Sequence, residues 1–218
     1  MNAQPRSEWI SNVGLWRLLC RVPPNDWLIV SWVVFLKILL FIFASKSYQI
    51  LEDKRMGGFY AWLELWNRWD APHYLQVARF GYEAADILVY PLLPGLVRFV
   101  NYFTDDYFLS GQAVATLAAV AAAVLLYRLV RLDFAEEVSL RAVWFFLIFP
   151  TAYFLHAGYT EGLFLALVLG SLLAARSGRW WLAGLLGALC TMTRANGLAL
   201  LPVLAVEAVH SSRASTLG

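Results

Sequence analysis

From Trp27 to Ala44 the chain is almost unbroken Val, Leu, Ile, Phe and Trp, and Lys37 is its only charged residue. A run of that length approaches the ~20 residues with which a helix crosses a bilayer, and it exceeds the apolar core of a cleavable signal. No small-residue cleavage site follows it, so the run is expected to remain as a signal-anchor helix. The rest of the chain fits the same solvent. It is 61% hydrophobic and only 15% charged, with mean hydropathy +0.61. Soluble domains sit nearer ~45–50% apolar and ~25% charged. Aromatic residues make up 16%, which suits side chains held at bilayer interfaces. Cys20 and Cys190 lie far apart and match neither a metal motif nor a disulfide framework.

The expected architecture is all-α, a polytopic membrane helical bundle with about six transmembrane helices. Spans are expected at 27–44, 110–132, 141–155, 160–175, 180–192 and 197–209, the last two being short for a crossing. Pro150 and Pro202 are expected to kink their helices. Ahead of the first span, Trp9, Ile10, Val13, Trp16 and Cys20 recur at helical spacing beside Arg6, Arg17 and Arg21, which reads as an amphipathic helix on a membrane surface. Pro23-Pro24 ends it, and Asn25 or Asp26 is placed to cap the next helix.

Arginine placement supplies an orientation. With the N-terminus in the cytoplasm, one side collects Arg6, Arg17, Arg21, Arg128, Arg131, Arg141, Arg176, Arg179 and Arg213. The short connections opposite hold Arg194 alone, as the positive-inside rule requires. Both termini are then cytoplasmic, in a multi-pass protein of the cell (plasma) membrane. Residues 1–26 form a cytoplasmic interfacial segment, and 45–109 form a long extracytoplasmic loop within a single membrane domain. In that loop Phe59, Trp62, Trp66 and Trp69 fall at spacings of three and four, predicting an aromatic stripe on an interfacial helix. The apolar stretch 88–100 contains Pro91 and Pro94 and is too short to span, so it dips into the bilayer or lies along it.

The chemistry concentrates in Trp66-Asn67-Arg68-Trp69-Asp70-Ala71-Pro72-His73-Tyr74. Asp70 stands before a Pro that begins a helix, a good N-cap position, and it is equally a carboxylate able to take a hydroxyl proton at the bilayer surface. His73 and Tyr74 follow within one turn and are candidates for substrate contact, as is Trp69. Asp105-Asp106 precede the second span and are expected to cap it. Glu161 opens an otherwise apolar helix. It either favours the helix dipole, with Thr160 as cap, or faces a cavity. Arg194, the lone cation of the short outer turns, is held there by something anionic, either a lipid phosphate or Glu161. Lys37 is expected to pair inside the bundle.

Taken in order, several segments resemble the PIG-V family, which adds the second mannose to glycosylphosphatidylinositol anchors and has related proteins in bacteria. They are Trp69-Asp70-Ala71-Pro72-His73-Tyr74 with Ala78-Arg79-Phe80-Gly81-Tyr82, then Tyr90-Pro91-Leu92-Leu93-Pro94 and Pro150-Thr151-Ala152-Tyr153-Phe154. Gly158-Tyr159-Thr160-Glu161-Gly162-Leu163-Phe164 and Thr193-Arg194-Ala195-Asn196-Gly197 complete the set. The resemblance covers the chain from Trp66 to Pro202. It implies a GT-C glycosyltransferase that takes mannose from a polyprenyl-phosphate-linked sugar, inverts the anomeric carbon, and keeps its essential aspartate, here Asp70, in the first extracytoplasmic loop. Trp69, His73, Tyr74, Tyr159, Glu161, Arg194 and Asn196 are the implied substrate-binding residues.

The implied partners are that donor, a lipid or glycan acceptor and membrane lipids, with no nucleic acid. No cofactor is specified and no metal ligand is assigned, although a divalent metal is compatible with the class. Family members are longer and carry more helices, so the chain reads either as the N-terminal part of such an enzyme or as a shortened form of it. The competing expectation is a non-catalytic lipid-binding or scaffolding module, or an inactive half.

Overall fold

The computed structural model describes residues 24–52, 59–83, 86 and 88–216, and the amphipathic segment expected around Trp9–Cys20 lies outside them. Every regular element among the described residues is helical. The elements are α1 (Pro24–Glu52), α2 (Phe59–Glu64), α3 (Ala71–Phe80), α4 (Leu92–Thr104), α5 (Tyr107–Val130) and α6 (Glu136–Ile148). There follow a 3-10 turn (Ala152–Leu155), α7 (Glu161–Arg176), α8 (Trp180–Thr191), a second 3-10 turn (Ala195–Ala199) and α9 (Leu200–Thr216).

Two of these helices are long and apolar enough to cross a membrane, α1 over Asn25–Glu52 and α5 over Tyr107–Val130, with hydropathy 2.5 and 2.1. Only 17% of the apolar window of α1 is buried against the protein. Phe35, Ile38, Leu39, Ile42 and Phe43 instead face outward, as a helix bathed in hydrocarbon requires. The expected six spans therefore resolve into two of full length and four shorter helices, α6 to α9, of 13, 16, 12 and 17 residues.

The boundaries moved where proline chemistry acts. The third apolar run, expected to continue to Leu155, stops at Ile148, because Phe149 precedes Pro150 and is extended (φ −58°, ψ 140°). Pro150 thus terminates a helix and does not kink one. Pro202 sits in the first turn of α9, where a missing N–H costs nothing, so the kink expected there has no cause. Pro91 and Pro94 occupy the start of α4 for the same reason. Asp106 caps α5 as expected, its Oδ1 accepting from Leu109 N at 2.9 Å. Asn25 and Asp26 serve longer-range partners. The Asn25 amide donates to the Tyr127 hydroxyl (2.9 Å) and to Glu136 (2.8 Å), and Asp26 pairs with Arg128.

Helix α5 is the hub, packing against α1, α3, α4, α6 and α7. Its closest partner is α7, and small residues explain why. Ala115, Ala119 and Ala123 repeat every fourth residue on α5, and Gly162, Ala166, Gly170 and Ala174 do so on α7, all buried. At Gly162 a Cβ would already stand 3.4 Å from the Ala119 backbone nitrogen. With no hydrophobic drive between helices in lipid, such stripes let backbones approach and gain dispersion contacts.

The two ends of the bundle differ in chemistry. One gathers the ion pairs Asp26–Arg128, Asp133–Arg176 and Arg176–Glu207, where the start of α1 meets the ends of α5 and α7. The other gathers the 66–74 segment, the turn after α6, the start of α7 and the 193–197 turn.

Candidate active site

The aromatic stripe expected on one interfacial helix is broken. Helix α2 ends at Glu64, Trp66 tucks inward to stack on Phe41 of α1 (centroids 4.8 Å, 20°), and Trp69 is 72% exposed. The chain must leave the helix because Pro72 lies in the first turn of α3, and that helix has to restart. It does so through Trp69 at φ 50°, a left-handed backbone that an aromatic residue adopts only under constraint. Part of the constraint is visible. The Tyr159 hydroxyl donates to the Arg68 carbonyl (3.0 Å), pinning the residue before Trp69.

Asp70 occupies the N-cap position of α3, yet its side chain makes no cap bond. Its backbone is already helical (φ −78°, ψ −21°) and not in the extended conformation from which an N-cap side chain reaches the first amides. Asp70 is exposed, and the residues just before it, Trp66, Arg68 and Trp69, wall a cavity of about 290 Å³ together with Tyr153 and Tyr159, with Ala44 of α1 behind. Burial pushes the Tyr159 phenol up to about 12, and the neighbouring Asp70 carboxylate adds to the shift. Burial also raises Tyr74, which feels Asp70, Glu161 and Arg194 together. Both phenols therefore keep their protons and remain hydrogen-bond donors at neutral pH.

Glu161 and Arg194 meet across the start of α7. Arg194 donates from Nε to Thr160 Oγ1 at 2.7 Å and pairs through Nη2 with Glu161 Oε1. Thr160 thus accepts from arginine and does not cap α7. The Glu161 pairing weighed from the sequence is present, and these two hydrogen bonds occupy two of the five guanidinium donors. Glu161 Oε2, Trp66 Nε1 and Asn67 Oδ1 are buried polar atoms without a hydrogen-bond partner. Glu161 also borders a second cavity of about 500 Å³ lined by Phe145, Phe146, Phe149 and Phe154.

The structure therefore brings together Asp70, Tyr74, Tyr159, Glu161 and Arg194, with Trp69 at the rim. His73 and Asn196 are exposed on α3 and on the second 3-10 turn, with no side-chain hydrogen bond to these residues among the described ones. Arg68 and Tyr153 wall the cavity without having been singled out, although both lie inside quoted motifs. Trp66, from the expected aromatic stripe, walls the cavity with its ring stacked on Phe41. No group of three or more His, Cys, Asp or Glu side chains able to hold a metal occurs among the described residues.

Gly197 sets the Arg194 turn. A Cβ there would lie 2.7 Å from the Thr191 backbone and 2.8 Å from the Cys190 carbonyl carbon, atoms that cannot step aside. Gly197→Ala should therefore lower stability by about 1–3 kcal/mol, read as a drop in thermal midpoint of the detergent-solubilised protein. An unchanged midpoint would show that the turn repacks freely.

The mannosyltransferase (PIG-V) family matches residues 59–215. GPI alpha-1,6-mannosyltransferase 2 of Mus musculus is 31% identical over 166 residues, covering 71% of this chain and 32% of the relative. Its counterparts in Cricetulus griseus and Rattus norvegicus are each 33% identical with the same coverage. The chain thus matches about a third of the length of these curated relatives. No solved structure matches it. The family match takes in the Asp70 segment, the Glu161 helix and the Arg194 turn together, and the chain belongs to the mannosyltransferase (PIG-V) family.

Proposed function

We propose that this chain carries the catalytic part of a membrane mannosyltransferase that takes mannose from a polyprenyl-phosphate donor to a lipid-linked or glycan acceptor on the extracytoplasmic side. The observation that carries this reading is the Asp70 carboxylate, exposed and free of its cap, directly after the residues that wall an aromatic cavity. Asp70 accepts the proton of an acceptor hydroxyl as that oxygen attacks the anomeric carbon. The new C–O bond forms as the bond to the phosphate oxygen breaks, with inversion, and the phosphate leaves with its electron pair.

Arg194, aimed by Thr160 and Glu161, holds the phosphate with its guanidinium. Trp69 and Tyr159 offer ring faces to the sugar, Tyr74 donates a hydrogen bond to it, and His73 and Asn196 line its approach. Because the phosphate is already a good leaving group, positioning and electrostatics supply most of the acceleration.

The test is direct. Purified protein in nanodiscs is incubated with labelled polyprenyl-phosphate mannose and a lipid extract, and label should pass to an acceptor. Folded protein that leaves the donor intact would favour a non-catalytic lipid-binding module instead.

The proposed orientation places both termini in the cytoplasm and the Asp70 end outside, supported by the arginines at the opposite end of α5, α6 and α7. In a background lacking Cys20 and Cys190, Leu88→Cys should react with an impermeant thiol reagent in intact cells and Leu132→Cys should not. The reverse pattern would turn the protein over and move the site to the cytoplasm.

A further inference from the structure

Lys37 stands outside both the family match and the motifs, in the middle of the first span. A cation there is costly in hydrocarbon and calls for a purpose. Its Nζ donates to the His156 backbone carbonyl at 2.9 Å and to Gln112 Oε1 at 3.3 Å, and it lies over the Phe41 ring at 5.5 Å. No carboxylate is among these partners, so the ammonium is spent on holding backbone and amide. His156 itself is fully buried, and neither ring nitrogen has a hydrogen-bond partner, so its backbone carbonyl is the group that anchors this turn.

The turn that Lys37 grips leads to the site by two short routes. Three residues after His156, the Tyr159 hydroxyl reaches the Arg68 carbonyl, two residues before Asp70. At Gly158, an added Cβ would sit 3.8 Å from Ala71 Cβ and 3.8 Å from the Gln112 amide, so the turn is pressed between Gln112 and the residue next to Asp70. One helical turn beyond Lys37, Phe41 stacks on Trp66, fixing the other flank of the same segment.

We propose that Lys37 is a positioning residue for the transfer reaction, its ammonium clamping the 156–159 turn that in turn fixes the backbone carrying Asp70. The proposal rests on the mannosyltransferase reading for its kinetic consequence, and its structural consequence can be measured without any turnover.

The full chain is placed in phosphatidylcholine nanodiscs as wild type, Lys37→Met and Lys37→Arg. A misplacement of the order of an ångström costs up to ~10² in rate, so Lys37→Met should lose about that factor in kcat while the KM for polyprenyl-phosphate mannose stays within about twofold. Lys37→Arg keeps the donors and should recover most of the rate. In parallel, spin labels at Ile50→Cys on α1 and Gln76→Cys on α3, with Cys20 and Cys190 replaced by Ser, report the distance between the first span and the Asp70 helix. That distribution should broaden in Lys37→Met and stay narrow in Lys37→Arg.

A folded Lys37→Met protein with wild-type kcat or a wild-type distance distribution would overturn the proposal. If Lys37→Met does not fold, Gln112→Leu removes one of the two grips and is read the same way, broadening supporting the clamp and an unchanged distribution overturning it. If the wild type transfers no mannose, the enzymatic reading fails, and the distances still decide whether Lys37 holds the Asp70 helix.

Discussion

Asp70→Asn should fold as the wild type does and transfer no mannose. Asparagine and aspartate cap helices about equally well, so even a capping role would survive this exchange within a few tenths of a kcal/mol. Here the carboxylate makes no cap bond at all, and the helix therefore loses nothing when it becomes an amide. The amide, however, has no lone pair basic enough to take a hydroxyl proton, and losing a general base typically costs ~10²–10⁴ in rate. Asp70→Glu should be nearly as inactive, because one more methylene carries the carboxylate past the geometry set by the Tyr159–Arg68 hydrogen bond. The comparison requires matched thermal midpoints and a donor-transfer assay. Wild-type turnover in well-folded Asp70→Asn protein would leave Asp70 without a chemical role.

Arg194→Ala should lose donor use by ~10–100-fold and also destabilise the fold, and the two losses can be separated. Charge-assisted hydrogen bonds are worth about 1.5–3 kcal/mol, and removing the guanidinium strands both Thr160 Oγ1 and the Glu161 carboxylate at the start of α7. Thr160 is buried, but the Arg194 and Glu161 side chains are both partly exposed, so the ion-pair share of the loss is discounted for solvent screening. Adding Glu161→Gln removes the stranded charge and should return part of the thermal stability without returning donor affinity. Arg194→Lys should keep the charge, lose the planar fork, and impair donor affinity more than folding. If Arg194→Ala binds donor as the wild type does and only stability falls, the guanidinium is a structural partner of Glu161 and the phosphate must be held elsewhere.

Much of this protein was legible without coordinates, because the strongest signals are local. Apolar runs at 27–44 and 110–132 became α1 and α5, since in hydrocarbon a backbone must satisfy itself and the helix is the local way to do so. Asp106 caps α5 because capping spans only three residues of chain. The Asp70 segment, the Glu161 helix and the Arg194 turn could be named as motifs, and Glu161 could be named as a partner for Arg194, because opposite charges at the same depth have few alternatives.

What the tertiary structure alone decided is everything set by residues distant in the chain. Trp69 stands at φ 50° in a segment that the Tyr159 hydroxyl, far along the sequence, helps to pin through the Arg68 carbonyl, and Asp70 is left uncapped by its helical backbone. Trp66 turns inward because Phe41 offers it a ring, which no helical periodicity records. Lys37 had no assignable partner from sequence because its acceptors are an amide and a backbone carbonyl, and a backbone carbonyl leaves no mark in amino-acid type. Sequence alone determined which residues of this protein are chemically capable. Only the packing of α1, α5 and the turn before α7 decided which of them meet, because hydrogen bonds and ring stacks act over ångströms while the residues that form them lie tens of positions apart.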